Sequence, residues 1–85
     1  MTDFESGLRS HLNSKSKLSA KEQQIMGVLD APDSKRRTRR MHRMENHARA
    51  SIDAHPEEGA IDWSKIDWSK ILQMLIKFIT MIFAL

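Results

Sequence analysis

The sequence predicts an all-α chain, extended and non-globular, in which short amphipathic helices lead to a basic helix and then to an apolar C-terminal helix. Three observations carry that reading. No stretch of the 85 residues alternates apolar and polar positions as a half-buried strand does, whereas apolar residues recur at helical spacing from the start. Apolar side chains are unevenly shared: residues 61–85 hold 16 of the 34, and residues 1–60 hold 18, of which six are Ala. Twelve large apolar side chains over 60 positions make a thin core. Charge is just as uneven, with half of the 14 Lys and Arg residues lying between positions 35 and 49 against Glu45 alone.

The elements follow in order. Thr2 and Glu5 have capping-box spacing, and Phe4, Leu8 and Leu12 recur at i, i+4, i+8, so a helix is expected over about 3–13, weakened by Gly7. Residues 13–17 are a polar break. Ser19 and Glu22 repeat the capping spacing, and Ile25, Met26, Val28 and Leu29 supply the apolar side of a second helix, which Ala31-Pro32-Asp33 ends because a residue before proline avoids the helical region. These two helices form an amphipathic arm, residues 1–31. Asp33 or Ser34 caps a third helix running to about Ala54, with Met41, Met44, Ala48 and Ile52 or Ser51 along a narrow stripe. That basic unit is residues 32–54, and His55-Pro56-Glu57-Glu58-Gly59 reads as a linker within residues 55–60.

The final segment, residues 61–85, opens with the pentapeptide Ile-Asp-Trp-Ser-Lys twice in succession. Asp62 and Asp67 are alternative caps, with Ile61/Ile66 and Ile66/Ile71 as alternative hydrophobic staples. A helix from Trp63 contains 23 residues and spans about 34 Å, and one from Trp68 contains 18 and spans about 27 Å, close to the roughly 30 Å of a hydrocarbon core. Trp63, Trp68, Ile71, Leu72, Leu75, Ile76, Phe78, Ile79, Ile82, Phe83 and Leu85 are the expected membrane or partner anchor. Lys70, Gln73, Lys77, Thr80 and Ala84 follow spacings of 3, 4, 3 and 4 and make one polar or small seam. That seam is either the solvent face of a helix pressed into a groove or interface, or the contact face of helices that oligomerise in a bilayer. Residues 1–60 are expected to be unable to shelter so wide an apolar surface, leaving a membrane or a protein assembly to do it.

The stretch SKRRTRRMHRMENHAR makes a cationic helix that repels itself and suits a polyanion. Lys35, Arg36, Arg37, Arg39, Arg40, Arg43 and Arg49 are the expected contacts, with Arg36, Arg39, Arg40 and Arg43 on one side and Lys35 and Arg37 widening the band. Nucleic acid is the foremost partner, with anionic lipid and acidic protein as rivals. No aromatic is interleaved, so base stacking is not expected. His42 and His47 are five apart and no two histidines stand at i, i+4, so no metal site is expected. Cysteine is absent, which excludes disulfides and thiolate zinc sites. No nucleophile motif or phosphate loop is present, and neither catalysis, a cofactor nor a small-molecule substrate is expected. The N-terminal stretch does not resemble a secretory signal, so this part is expected in the cytoplasm or a particle interior.

The functional expectation is a small structural adaptor of the kind found as a minor virion or capsid component, tail-anchored in a membrane or assembly and holding nucleic acid by its basic helix. A membrane-active lysis or pore-forming effector, and a soluble module docking its tail in a partner's groove, are the alternatives.

Overall fold

The computed structural model describes residues 3–52 and 61–84. Five helices and one 3-10 turn account for most of them: α1 (Asp3–Asn13), α2 (Ala20–Asp30), α3 (Lys35–Ala50), the turn Trp63–Lys65, α4 (Trp68–Lys77) and α5 (Ile79–Phe83). No strand is present among the described residues. The expected Thr2 cap, the linker His55 to Gly59 and the anchor residue Leu85 lie outside the described residues, and the third helix, expected to run to about Ala54, stops at Ala50 with Ser51 as its C-cap.

Local chemistry sets the helix ends. At α2, Ser19 Oγ accepts from the Glu22 amide at 3.2 Å while the Ser19 amide donates to Glu22 Oε1 at 2.8 Å, a reciprocal capping box. Lys15 Nζ also donates to the Glu22 carboxylate, and these bonds together hold it below the usual carboxylate range. Ser34 caps α3, its Oγ accepting from the Arg37 amide at 3.1 Å. Ser51 Oγ donates to the Ala48 carbonyl at 2.7 Å where α3 stops. The two copies of the pentapeptide do different work: Asp62 caps only the 3-10 turn, and Asp67 caps α4 by accepting from the Lys70 amide at 3.3 Å.

The expected extended architecture is corrected by this packing. The radius of gyration is 12.3 Å and the principal extents are 31 × 30 × 23 Å, against about 12 Å for a compact chain of this length. The tail is sheltered by its own chain. Phe4, Leu8 and Leu12 of α1, Ile25, Val28 and Leu29 of α2, and Met44 and Ala48 of α3 form one continuous core with Trp63, Ile71, Leu72, Leu75, Ile79 and Ile82. α4 lies against α1 and α3, and α5 packs on α3 and on α4. So few large side chains suffice because each of the first three helices turns one stripe to the tail, and the tail itself has only one fully apolar side to cover. Lys70, Gln73, Lys77 and Thr80 stay exposed.

The tail is also not one rod. Phe78, at φ −104° and ψ 16°, leaves the helical region and separates α4 from α5. No helix among the described residues is long and apolar enough to cross a membrane.

Close approach fixes the N-terminal corner. A Cβ on Gly7 would lie 2.3 Å from Trp68 Cζ2 and 2.9 Å from Cε2, so α1 can meet the indole only with glycine there. The indole N–H donates to the Trp63 carbonyl at 2.9 Å, and Phe4 packs edge-on to Trp63 at 5.0 Å between ring centres. Arg9 and Arg37 then tie α1 and α3 to the end of α2, both donating to the Leu29 carbonyl, at 2.7 and 3.1 Å. Cations at that end complement the helix dipole.

Candidate polyanion interface

α3 is built so that charge and apolar surface lie on opposite sides. Met44 and Ala48 are fully buried and Met41 is half-buried, which fixes the helix's rotation against the core. At about 100° per residue, Lys35, Arg36, Arg39, Arg40 and Arg43 fall in a sector of about 140° pointing away from that side. Arg37 and Arg49 fall outside it.

The structure sorts the seven expected contacts into three groups. Lys35, Arg36 and Arg39 are exposed, and none has a carboxylate partner among the described residues. Arg40 and Arg43 are half-buried at the margin where α3 meets α5. The Arg40 guanidinium lies 4.6 Å from the centre of the Phe83 ring, and Arg43 Nη1 donates to the Ile82 carbonyl at 3.2 Å and to the Ala84 carbonyl. Arg43 thus satisfies carbonyls at the end of α5.

Arg37 and Arg49 serve the fold. Arg37 Nη2 donates to Glu5 Oε2 at 2.9 Å, with the two side chains only 13% and 10% exposed, and its Nη1 lies 3.8 Å from Asp33. Arg49 pairs with Glu45 at 3.1 Å and lies 5.9 Å from the Trp63 ring centre. The band open to a partner is therefore narrower than spacing suggests: Lys35, Arg36 and Arg39 outermost, with Arg40 and Arg43 along one edge.

Of the expected anchor residues, Trp63, Ile71, Leu72, Leu75, Ile79 and Ile82 are buried in the core, and Trp68, Ile76, Phe78 and Phe83 are half-buried against it or beside it. The seam residues Lys70, Gln73, Lys77 and Thr80 form the outward side of α4 and the start of α5. The groove into which this helix is pressed is made by α1 and α3. His47 stacks on Phe78 at 4.8 Å between ring centres. Among the described residues no group of three or more His, Cys, Asp or Glu side chains stands close enough to hold a metal ion.

Phe83 is the residue that linear spacing misses at this surface. It stands 43 positions beyond Arg40 in the chain, and only the turn of the tail at Phe78 returns it to α3. Its apolar character was legible; its place beside a guanidinium was not. Fold and surface together define a small all-α protein with one cationic helix at its face. Comparison with protein-family models, with curated proteins and with solved structures finds no match.

Proposed function

We propose that this protein is a small, non-enzymatic structural adaptor that holds nucleic acid through the outward side of α3. The observation that carries the reading is the segregation of charge on that helix: three exposed cations without carboxylate partners among the described residues, two more at their edge, and an opposite side locked into the core. A rigid row of this kind matches a phosphate backbone, and it reads charge rather than sequence. Nothing in it reaches for base edges. The setting that suits such a chain is a larger nucleoprotein assembly, such as a virion in which it is a minor component, with α3 facing the genome in the particle interior.

Readings that place the tail in a bilayer or in a partner's groove require α4 and α5 to leave the core first. Ile71, Leu72, Leu75, Ile79 and Ile82 are buried there, and exposing five such side chains forfeits roughly 8–15 kcal/mol, as much as the whole stability of a small domain. An adaptor that binds through α3 keeps its fold.

The test is retention of duplex DNA by the full chain across a salt series. The logarithm of affinity should fall against the logarithm of salt concentration with a slope of about −2.7 to −4.5, as expected for three to five phosphates. Replacing Lys35, Arg36 and Arg39 together with Gln should weaken binding and flatten the slope by about 2.7, with the melting temperature little changed because all three are exposed. Unaltered retention by that variant would refute the reading.

A further inference from the structure

Beside the exposed row, α2, the start of α3 and α5 enclose a cleft of about 310 Å³. Arg36, Arg37 and Arg40 line it, together with Ser34, Gly27 and Phe83. We infer that this cleft is a seat for a single phosphate group, and that in the assembled state a backbone phosphate of the bound strand occupies it. The inference rests on the nucleic-acid reading only for the source of the phosphate; the seat itself follows from its walls.

Three features build it. The first is positive charge in surplus: Arg37 is offset by Glu5 and Asp33, but neither Arg36 nor Arg40 has a carboxylate partner among the described residues. The second is a pair of donors without an acceptor on two side chains that line the cleft. Nε of Arg37 and Nε of Arg40 are buried and have no hydrogen-bond partner among the described residues, although buried N–H groups almost always find an acceptor. The Ser34 hydroxyl accepts from the Arg37 amide, and its own O–H has no acceptor there either. The third is rigidity, since Phe83 holds the Arg40 guanidinium at 4.6 Å and Glu5 with the Leu29 carbonyl hold that of Arg37. Guanidinium groups held in place suit a tetrahedral oxyanion that accepts several N–H bonds at once. Gly27 lines the α2 wall, and a Cβ there would meet no atom within 4 Å.

The position joins the cleft to the exposed row. Arg36 belongs to both, and Lys35 and Arg39 flank it on α3. A strand with one phosphate seated in the cleft would carry its neighbours along the rest of the band. The sequence could not show this, because the walls come from residues 24–40 and from Phe83.

The experiment is a titration of the isotope-labelled full chain with inorganic phosphate at constant ionic strength, following the arginine Nε–H resonances. Saturable shifts at Arg36, Arg37 and Arg40 without an equal response at Arg39 are expected. Arg40→Gln should weaken the response about tenfold, the loss of one charge-assisted bond. Gly27→Glu is the second variant: it adds a carboxylate to a residue that lines the cleft and whose Cβ would meet no atom within 4 Å, and it raises helix propensity, so it should fold at least as well as the parent and lose the phosphate response. A response that is linear, or shared equally by Arg39, would mean an ion atmosphere and overturn the seat, as would undiminished binding by folded Gly27→Glu.

A second arm titrates oligothymidylate at low salt. Movement of the Arg40 resonance in the phosphate direction is expected. Retention of the oligonucleotide with Arg40 unmoved would overturn the strand as the source. Saturation by phosphate with no retention of oligonucleotide or duplex would instead sink the nucleic-acid reading and leave the seat standing.

Discussion

Gly7→Ala separates a packed N-terminal helix from a free arm by the sign of a single number. On an exposed helix this change adds helix propensity and stabilises by up to about 1 kcal/mol. In the structure the added methyl would stand 2.3 Å from Trp68 Cζ2, well inside contact distance, and the atoms in the way belong to a ring rather than to the end of a flexible chain. That ring is held by its N–H bond to the Trp63 carbonyl and by Phe4 at 5.8 Å between centres. Overpacking costs about 1–3 kcal/mol, and losing the indole bond adds about 1 kcal/mol, which together outweigh the propensity gain. The net loss should be about 1–3 kcal/mol, or roughly 4–8 °C in Tm per kcal/mol. Urea denaturation followed by tryptophan fluorescence reads it directly. Gly27→Ala is the control, since its methyl meets nothing within 4 Å and should stabilise by up to about 1 kcal/mol. Equal stabilisation by both substitutions would refute the packing of α1 on the tail.

Further expectations concern the core, its buried ion pair and its acid response. Leu75→Ala, at a site with 0% exposure, should cost about 2–5 kcal/mol by thermal or urea melting, while Lys77→Ala on the outward side of the same helix should cost well under 1 kcal/mol. Glu5→Gln should cost toward the lower end of about 3–5 kcal/mol, because Arg37 keeps the Leu29 carbonyl and Asp33; a double-mutant cycle with Arg37→Gln should show coupling between the two. Glu22 is held below its ordinary carboxylate range chiefly by Lys15 and then by the Ser19 amide, so its contribution to stability is present above the unfolded-state value and is lost as pH falls through the lower folded value. Denaturant midpoints measured downward from pH 5 should therefore fall less steeply in Lys15→Gln than in the parent, and identical pH profiles would contradict that assignment.

Much of the local structure was legible because it rests on neighbours in the chain. Ser19 with Glu22, Ser34 before the basic run and Asp67 before Trp68 each announce a helix start, and each caps one. Pro32 marks the end of α2, and Phe4, Leu8 and Leu12 mark the buried stripe of α1. The tertiary arrangement was not legible, for a physical reason. A count of large side chains measures how much surface can be covered, but it does not reveal that three helices direct their stripes at a fourth. The break at Phe78 has no proline or glycine to signal it, yet it turns a rod into two short helices and brings Phe83 to Arg40.

The cationic surface was legible as a cluster and misleading in detail. Spacing groups Arg37 with the band, but its guanidinium faces Glu5, 32 positions earlier, and a carbonyl of α2. Arg43 is committed to carbonyls 39 and 41 positions later. Partners at such separations leave no periodic signal. The outward residues Lys35, Arg36 and Arg39 are distinguished only once Met44 and Ala48 fix the rotation of α3.

The claim on which the rest depends is that α4 and α5 are the centre of this chain's own core. Small-angle X-ray scattering of the isolated full chain in detergent-free buffer tests it most directly. A monomer with a radius of gyration close to the 12.3 Å of the Cα trace, enlarged slightly by side chains and hydration, is the expected result. A value approaching the roughly 29 Å of an unfolded chain of this length, or a chain that stays dispersed only with lipid or detergent, would contradict it.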